Sequence, residues 1–125
     1  MILDTNGLSA LGDGDPDIEP ILREAEELAL PVIVLGEYRY GIRQSRERPR
    51  YERWLEERLP DFRMLTVDEE TAGRYADVRD ALRRSGRAIP ANDAWIAALA
   101  LQYALPVISK DRHFDSVVGV KRLGW

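Results

Sequence analysis

Short apolar runs rich in β-branched residues, separated by stretches of helical periodicity, constrain this chain most. Met1–Leu3, Val32–Leu35 introduced by Pro31, and Val107–Ser109 introduced by Pro106 read as buried strands. A proline suits the entry to a strand better than its middle. Arg63–Val67 is a fourth candidate, and Val120–Leu123 a fifth, edge strand. Between them Asp17–Leu28 places Ile18, Ile21, Leu22, Ala25 and Leu28 on one helical face. Glu37–Arg46 and Tyr51–Leu59 read as a helical pair interrupted at Pro49. Asp68–Ser85 begins acidic and ends at Arg83-Arg84-Ser85-Gly86, the order that suits the helix dipole and a glycine stop. Asn92–Tyr103 is apolar on nearly every side, so it is expected to be a buried central helix. Strands alternating with helices imply a mainly parallel sheet covered on both faces, a three-layer α/β/α arrangement of about five strands.

A chain of 125 residues suits one domain, spanning 1–125. It has no cysteine, which excludes disulfides, a thiol nucleophile and cysteine-type zinc sites. The Ala94–Leu101 run is far short of the roughly 20 apolar residues that span a bilayer. The opening residues do not read as a signal peptide. A cytoplasmic protein with no membrane attachment is expected. The net charge of −4 argues against a passive nucleic-acid-binding module. It argues less against an enzyme whose acidic site holds a metal cation.

In parallel α/β folds, ligands bind at the carboxyl ends of the strands. Asp4 follows the first strand reading, Glu37 lies two residues after the second, and Asp111 two residues after the third. Asp93 opens the central helix, and Asp115 lies four residues beyond Asp111, a spacing that shares a helical face. Any one aspartate before a helix is commonly just a cap. Glutamate is not a favoured cap, and Glu37 sits against apolar sequence, where an unpaired charge is costly. Carboxylates gathered at one edge repel one another unless a cation is present, and a hard divalent ion such as Mg²⁺ takes oxygen ligands. The single histidine, His113, cannot form a ligand set, and its position reads as a surface helix. No Gly-rich phosphate loop is present, so triad, zinc and P-loop chemistries fall away.

Met1-Ile2-Leu3-Asp4-Thr5-Asn6 with Leu8-Ser9-Ala10-Leu11 resembles the opening of PIN-domain proteins of the VapC toxin type. Glu37-Tyr38 with Gly41, Ile89 to Ala98, and Leu105 to Phe114 resemble the later motifs of that family, in order and across essentially the whole chain. The resemblance implies an endoribonuclease dependent on Mg²⁺, with Mn²⁺ as a substitute. It also implies a cognate antitoxin partner and a homodimer. It carries over Asp4, Glu37, Asp93 and Asp111 as catalytic, metal-binding acids, Asn6 and Ser109 as a supporting polar shell, and Asp115 as an accessory acid. Two departures are Gly7, where the family has an aliphatic residue, and the short acidic Gly12–Asp17 connection. Gly7 is expected to weaken packing at the start of the first helix.

Arg39, Arg43, Lys110 and Arg112 are candidates to grip RNA phosphates, against the alternative of a solvated, ion-paired surface. Tyr38, Tyr40, Tyr51 and Trp54 are expected to build a helix-pair core or a subunit interface rather than stack on bases. The rival reading from another class is a receiver-like signalling domain. A catalytically silent scaffold of the same fold is a second rival. A receiver needs an acid pair near the first strand, and this chain offers only Asp4 there.

Overall fold

A computed structural model describes residues 1–125. Its five strands are β1 (Ile2–Leu3), β2 (Ala29–Pro31), β3 (Arg63–Leu65), β4 (Val107–Ile108) and β5 (Arg122–Leu123). They form one sheet in the order β3-β2-β1-β4-β5, with every pairing parallel. Helices α1 (Thr5–Asp13) and α2 (Glu19–Arg23) join β1 to β2, and α3 (Val32–Arg43) and α4 (Arg48–Arg58) join β2 to β3. Helices α5 (Glu69–Ser85) and α6 (Ala91–Tyr103) join β3 to β4. The first half of the chain steps outward from β1 in one direction and the second half in the other. Right-handed crossovers then set the two groups of helices on opposite faces of the sheet, which gives three layers.

The reversal of direction falls between β1 and β4, whose residues Leu3 and Ile108 are paired. In doubly wound sheets this is where a crevice opens outside the strand ends. The order also separates the fold from a receiver, which runs 2-1-3-4-5.

The core is one buried cluster. The strands contribute Ile2, Leu3, Leu30 and Ile108, and α1 and α3 contribute Leu8, Val34 and Tyr38. Helix α6 buries Ala94, Ile96, Ala97, Leu99 and Ala100, as its apolar composition requires. Its Trp95 ring stacks on Tyr75 of α5, with centroids 3.8 Å apart. No helix is long and apolar enough to cross a membrane.

Several expected boundaries move. Val32–Leu35 is not a strand but the first turn of α3, and the strand is the preceding Ala29–Pro31. Pro31 holds φ −62° and ψ 138°, ending the strand and capping the helix. Val34, Tyr38 and Ile42 are buried at four-residue spacing, so the helical period overrides the β-branched composition. Pro49 does not interrupt a helix; it sits in the first turn of α4, where a missing N–H costs nothing. Asp17–Leu28 contracts to the five residues of α2, because the chain must straighten to pair with β1, where Ala29 N–H reaches Met1 O at 2.8 Å. Asp68 lies just outside α5 as its cap.

Candidate active site

Asp4 ends β1 and caps α1. Its backbone is extended (φ −86°, ψ −176°), and Oδ1 accepts the Gly7 N–H at 2.9 Å. Its Oδ2 accepts a hydrogen bond from Ser109 Oγ, and the side chain is almost wholly buried, with 3% of the residue exposed. Ser109 follows β4 and is itself fully buried. The same Oγ accepts the Asp111 N–H at 2.8 Å, so one hydroxyl ties together the acids that follow the two central strands. A second tie runs from the Lys110 N–H to Asn6 Oδ1 at 3.0 Å. Asn6 and Ser109 are thus placed to hold the loops that carry Asp4 and Asp111.

Glu37 arrives from a helix, not from a strand end. It is the sixth residue of α3, and its Oε1 accepts Thr5 Oγ1 at 3.0 Å. Asp93 is the third residue of α6. His113 Nδ1 lies 2.9 Å from Asp93 Oδ2 and 2.9 Å from Asp111 Oδ1. Asp93, Asp111 and His113 can bring one ligand atom each within 4.8 Å of one another. Sequence reasoning gave no site role to Thr5, the hydroxyl immediately after Asp4, and placed His113 on a surface helix. A residue two positions past a capping aspartate in a tight 3₁₀ turn (Arg112–Ser116) is brought back toward that aspartate.

The acids perturb one another. Burial pushes the Asp4 carboxyl up to about 6, and the charges of Asp93 and Asp111 add to it against the hydrogen bonds from Ser109 and Gly7. Burial also raises Asp93, with Asp111 and Glu37 adding. The hydrogen bond to Asp93 raises His113. The ion pairs of these acids are with His113, and neither lysine nor arginine supplies one. A set of carboxylate oxygens, partly buried and mutually repelling, fits a hard divalent cation.

Asp115 is not among the residues whose ligand atoms gather with those of Asp93 and Asp111. Arg122 Nε and Nη2 hold its two oxygens at 2.9 and 3.1 Å, and that contact lowers its carboxyl below the usual range. A 3₁₀ segment has three residues per turn, so the fourth residue on does not share Asp111's face as it would in an α-helix. Arg39 and Arg43 lie two and six positions past Glu37, about 200° and 240° around α3 from it, and face away. Lys110 and Arg112 flank Asp111, and Lys110 Nζ rests 5.1 Å from the centre of the Trp125 ring. Tyr38 and Trp54 pack together between α3 and α4, while Tyr40 is exposed. Gly7 does not weaken α1. A Cβ there would stand 3.0 Å from Ile108 O and 3.1 Å from the Leu3 side chain, so glycine lets the helix approach the sheet.

An acid cluster at the switch point of a 3-2-1-4-5 parallel sheet coincides with a match of residues 1–120 to the PIN-domain model, and the chain belongs to the PIN-domain family. Within it, ribonuclease VapC5 of Mycobacterium tuberculosis is 34% identical over 120 residues, covering 94% of this chain and 87% of that protein. Two solved structures share the fold over nearly the whole length. FitAcB from Neisseria gonorrhoeae has a TM-score of 0.81 at 30% identity and covers 98% of this chain and 95% of that one. VapBC-5 from M. tuberculosis, a member of the VapBC family of toxin–antitoxin systems, has a TM-score of 0.73 at 28% identity, covering 99% and 97%.

Proposed function

We propose that this protein is the toxin of a VapBC-type toxin–antitoxin pair, an endoribonuclease that depends on Mg²⁺ or, in its place, Mn²⁺. The observation that carries the reading is the convergence of Asp4, Glu37, Asp93 and Asp111 at the switch point, with Asp4 buried and its charge opposed by its neighbours. The kinship to a ribonuclease named VapC and to a VapBC structure supports RNA as substrate and an antitoxin as partner. We place the protein in the cytoplasm, as a homodimer.

Asp4, Asp93, Asp111 and Glu37 would hold the metal, which supplies Lewis acidity toward a phosphate and a water molecule. The protein's own work is positioning. Ser109 and the Gly7 N–H fix both Asp4 oxygens. Thr5 fixes Glu37, and Asn6 fixes the β4 loop. Lys110 and Arg112, exposed beside the acids, attract the RNA backbone. Hydrolysis of the phosphodiester leaves a 5′-phosphate and a 3′-hydroxyl.

The test is cleavage of RNA by purified protein with and without Mg²⁺ or Mn²⁺, comparing wild type with Asp93→Asn. Cleavage is expected only with the metal and the intact acid. Cleavage that survives EDTA or the substitution refutes the metal mechanism. Growth arrest on expression, relieved by the product of a neighbouring gene, checks the toxin role.

A further inference from the structure

A second polar feature runs away from the acids between α1 and α3. Thr5, Ser9 and Asp13 follow one another at four-residue spacing along one face of α1. Glu37, Gly41 and Ser45 do the same along α3 and the turn that ends it. The Thr5–Glu37 hydrogen bond joins the two rows at the active-site end. About 6 to 12 Å further along, at 1.5 Å per residue, the rows flank a cavity of about 190 Å³ lined by Ser9, Asp13, Tyr38, Gly41, Ile42, Ser45 and Tyr51. That volume is below the roughly 300 Å³ of a drug-sized ligand site, so it suits one planar group.

Two observations point to a ligand here. Tyr38 only walls the cavity: its hydroxyl is closed to solvent and packed at Gly12, where a Cβ would stand 2.8 Å from it. The Tyr51 hydroxyl donates to Asp13 Oδ1 at 2.7 Å and aims that carboxylate. Gly41 leaves open space, with nothing within 4 Å of where a Cβ would stand. The lining carries one carboxylate, several hydroxyls and the apolar Ile42, and the nearby Arg50 guanidinium lies 5.1 Å from the Tyr51 ring, so the carboxylate is the group that selects, for a base edge that donates.

We propose that this cavity is a base-reading subsite for the RNA strand, taking a nucleobase that presents an amino group to Asp13. The inference rests on the ribonuclease reading above. Single-stranded RNA is recognised through splayed bases hydrogen-bonded along their edges, and a carboxylate accepts from an exocyclic amine. Uracil, which has no amino group, is disfavoured. At about 3.4 Å per stacked nucleotide the subsite lies a few nucleotides from the cut.

The experiment is cleavage of a random-sequence RNA library in Mn²⁺, with cut sites sequenced, for wild type, Asp13→Asn, Gly41→Leu and Glu37→Gln. Antitoxin binding and melting temperature are measured on the same proteins. Wild type is expected to prefer an amino-bearing base at one fixed position near the cut. Asp13→Asn is expected to cut preferred sites about 10-fold more slowly and to lose discrimination, the scale of one good base contact. Gly41→Leu fills the cavity and is expected to have the same effect. Its melting temperature is expected to be unchanged or higher, because leucine is the better helix former. Both variants folded, with wild-type rates and cut sites, overturn the proposal. So does weakened antitoxin capture with an unaltered cleavage profile, which assigns the cavity to a protein side chain. Absence of any Glu37-dependent cleavage by wild type overturns the ribonuclease reading, and this one with it.

Discussion

Asp4 and Asp68 are the same device used in two ways. Each caps a helix from an extended backbone and accepts the N–H three residues on, at 2.9 and 3.0 Å. Each also accepts a hydroxyl, from Ser109 in one case and Thr71 in the other. Asp68 faces solvent, in a reciprocal box with Thr71 and with Gln102 beside it, and those hydrogen bonds lower its carboxyl below the usual range. Asp4 is buried beside Asp93 and Asp111 and is raised to about 6. One cap stabilises its helix in water. The other holds an unneutralised charge in the interior, a cost that has no structural purpose unless a cation is received there.

Asp4→Asn separates the two most sharply. RNA cleavage is expected to fall by more than about 100-fold, beyond the usual effect of losing a supporting partner. Metal-free stability is expected to rise near neutral pH. The sign follows from the raised carboxyl: the folded state holds the proton more tightly than the unfolded one. Stability of the metal-free wild type therefore falls as pH climbs from about 4 to about 6, then levels off, by about 3 kcal/mol for this group. Urea unfolding at about pH 4 and pH 7 measures the slope, and Asp4→Asn is expected to reduce it, leaving the part that the raised Asp93 carboxyl contributes. Mg²⁺ or Mn²⁺ at about 100 times its dissociation constant is expected to stabilise wild type by about 2.7 kcal/mol and the variant hardly at all, read by thermal melting. Asp68→Ala is expected to lower the melting temperature by a few degrees with RNA cleavage unchanged. The Asp68 contribution has the opposite pH sense, present near neutrality and lost in acid. Asp115→Asn is expected to move melting least, because an ion pair with a half-exposed carboxylate contributes little and Arg122 keeps its contact with the Ser109 carbonyl. A large loss of cleavage in Asp115→Asn would return that residue to the site.

Much of this contrast was legible in the sequence, though not always for the right reason. Asp4 and Asp111 follow short strands flanked by clear punctuation, so their place at the sheet edge comes straight from the alternation of elements. Glu37 was placed near the site through a strand that does not exist. Val32 to Leu35 has strand composition, and only the burial of Val34, Tyr38 and Ile42 together distinguishes a helix. For Asp115, α-helical spacing is the wrong guide, because the segment is a 3₁₀ turn and Arg122 holds the carboxylate. The roles of Thr5 and His113 depend on pairings across 32 and 20 residues. Local pattern contains no information about such pairings.

The close approach at Gly7 has a consequence for how this site can fail. The backbone N–H that orients Asp4 belongs to the residue whose missing side chain lets α1 lie against Ile108. A methyl at position 7 would stand 3.0 Å from Ile108 O and 3.1 Å from the Leu3 side chain, so the start of α1 would have to give by a few tenths of an ångström, and the N–H that orients Asp4 would shift with it. A variant that melts nearly normally and cuts more slowly is the signature such a shift leaves.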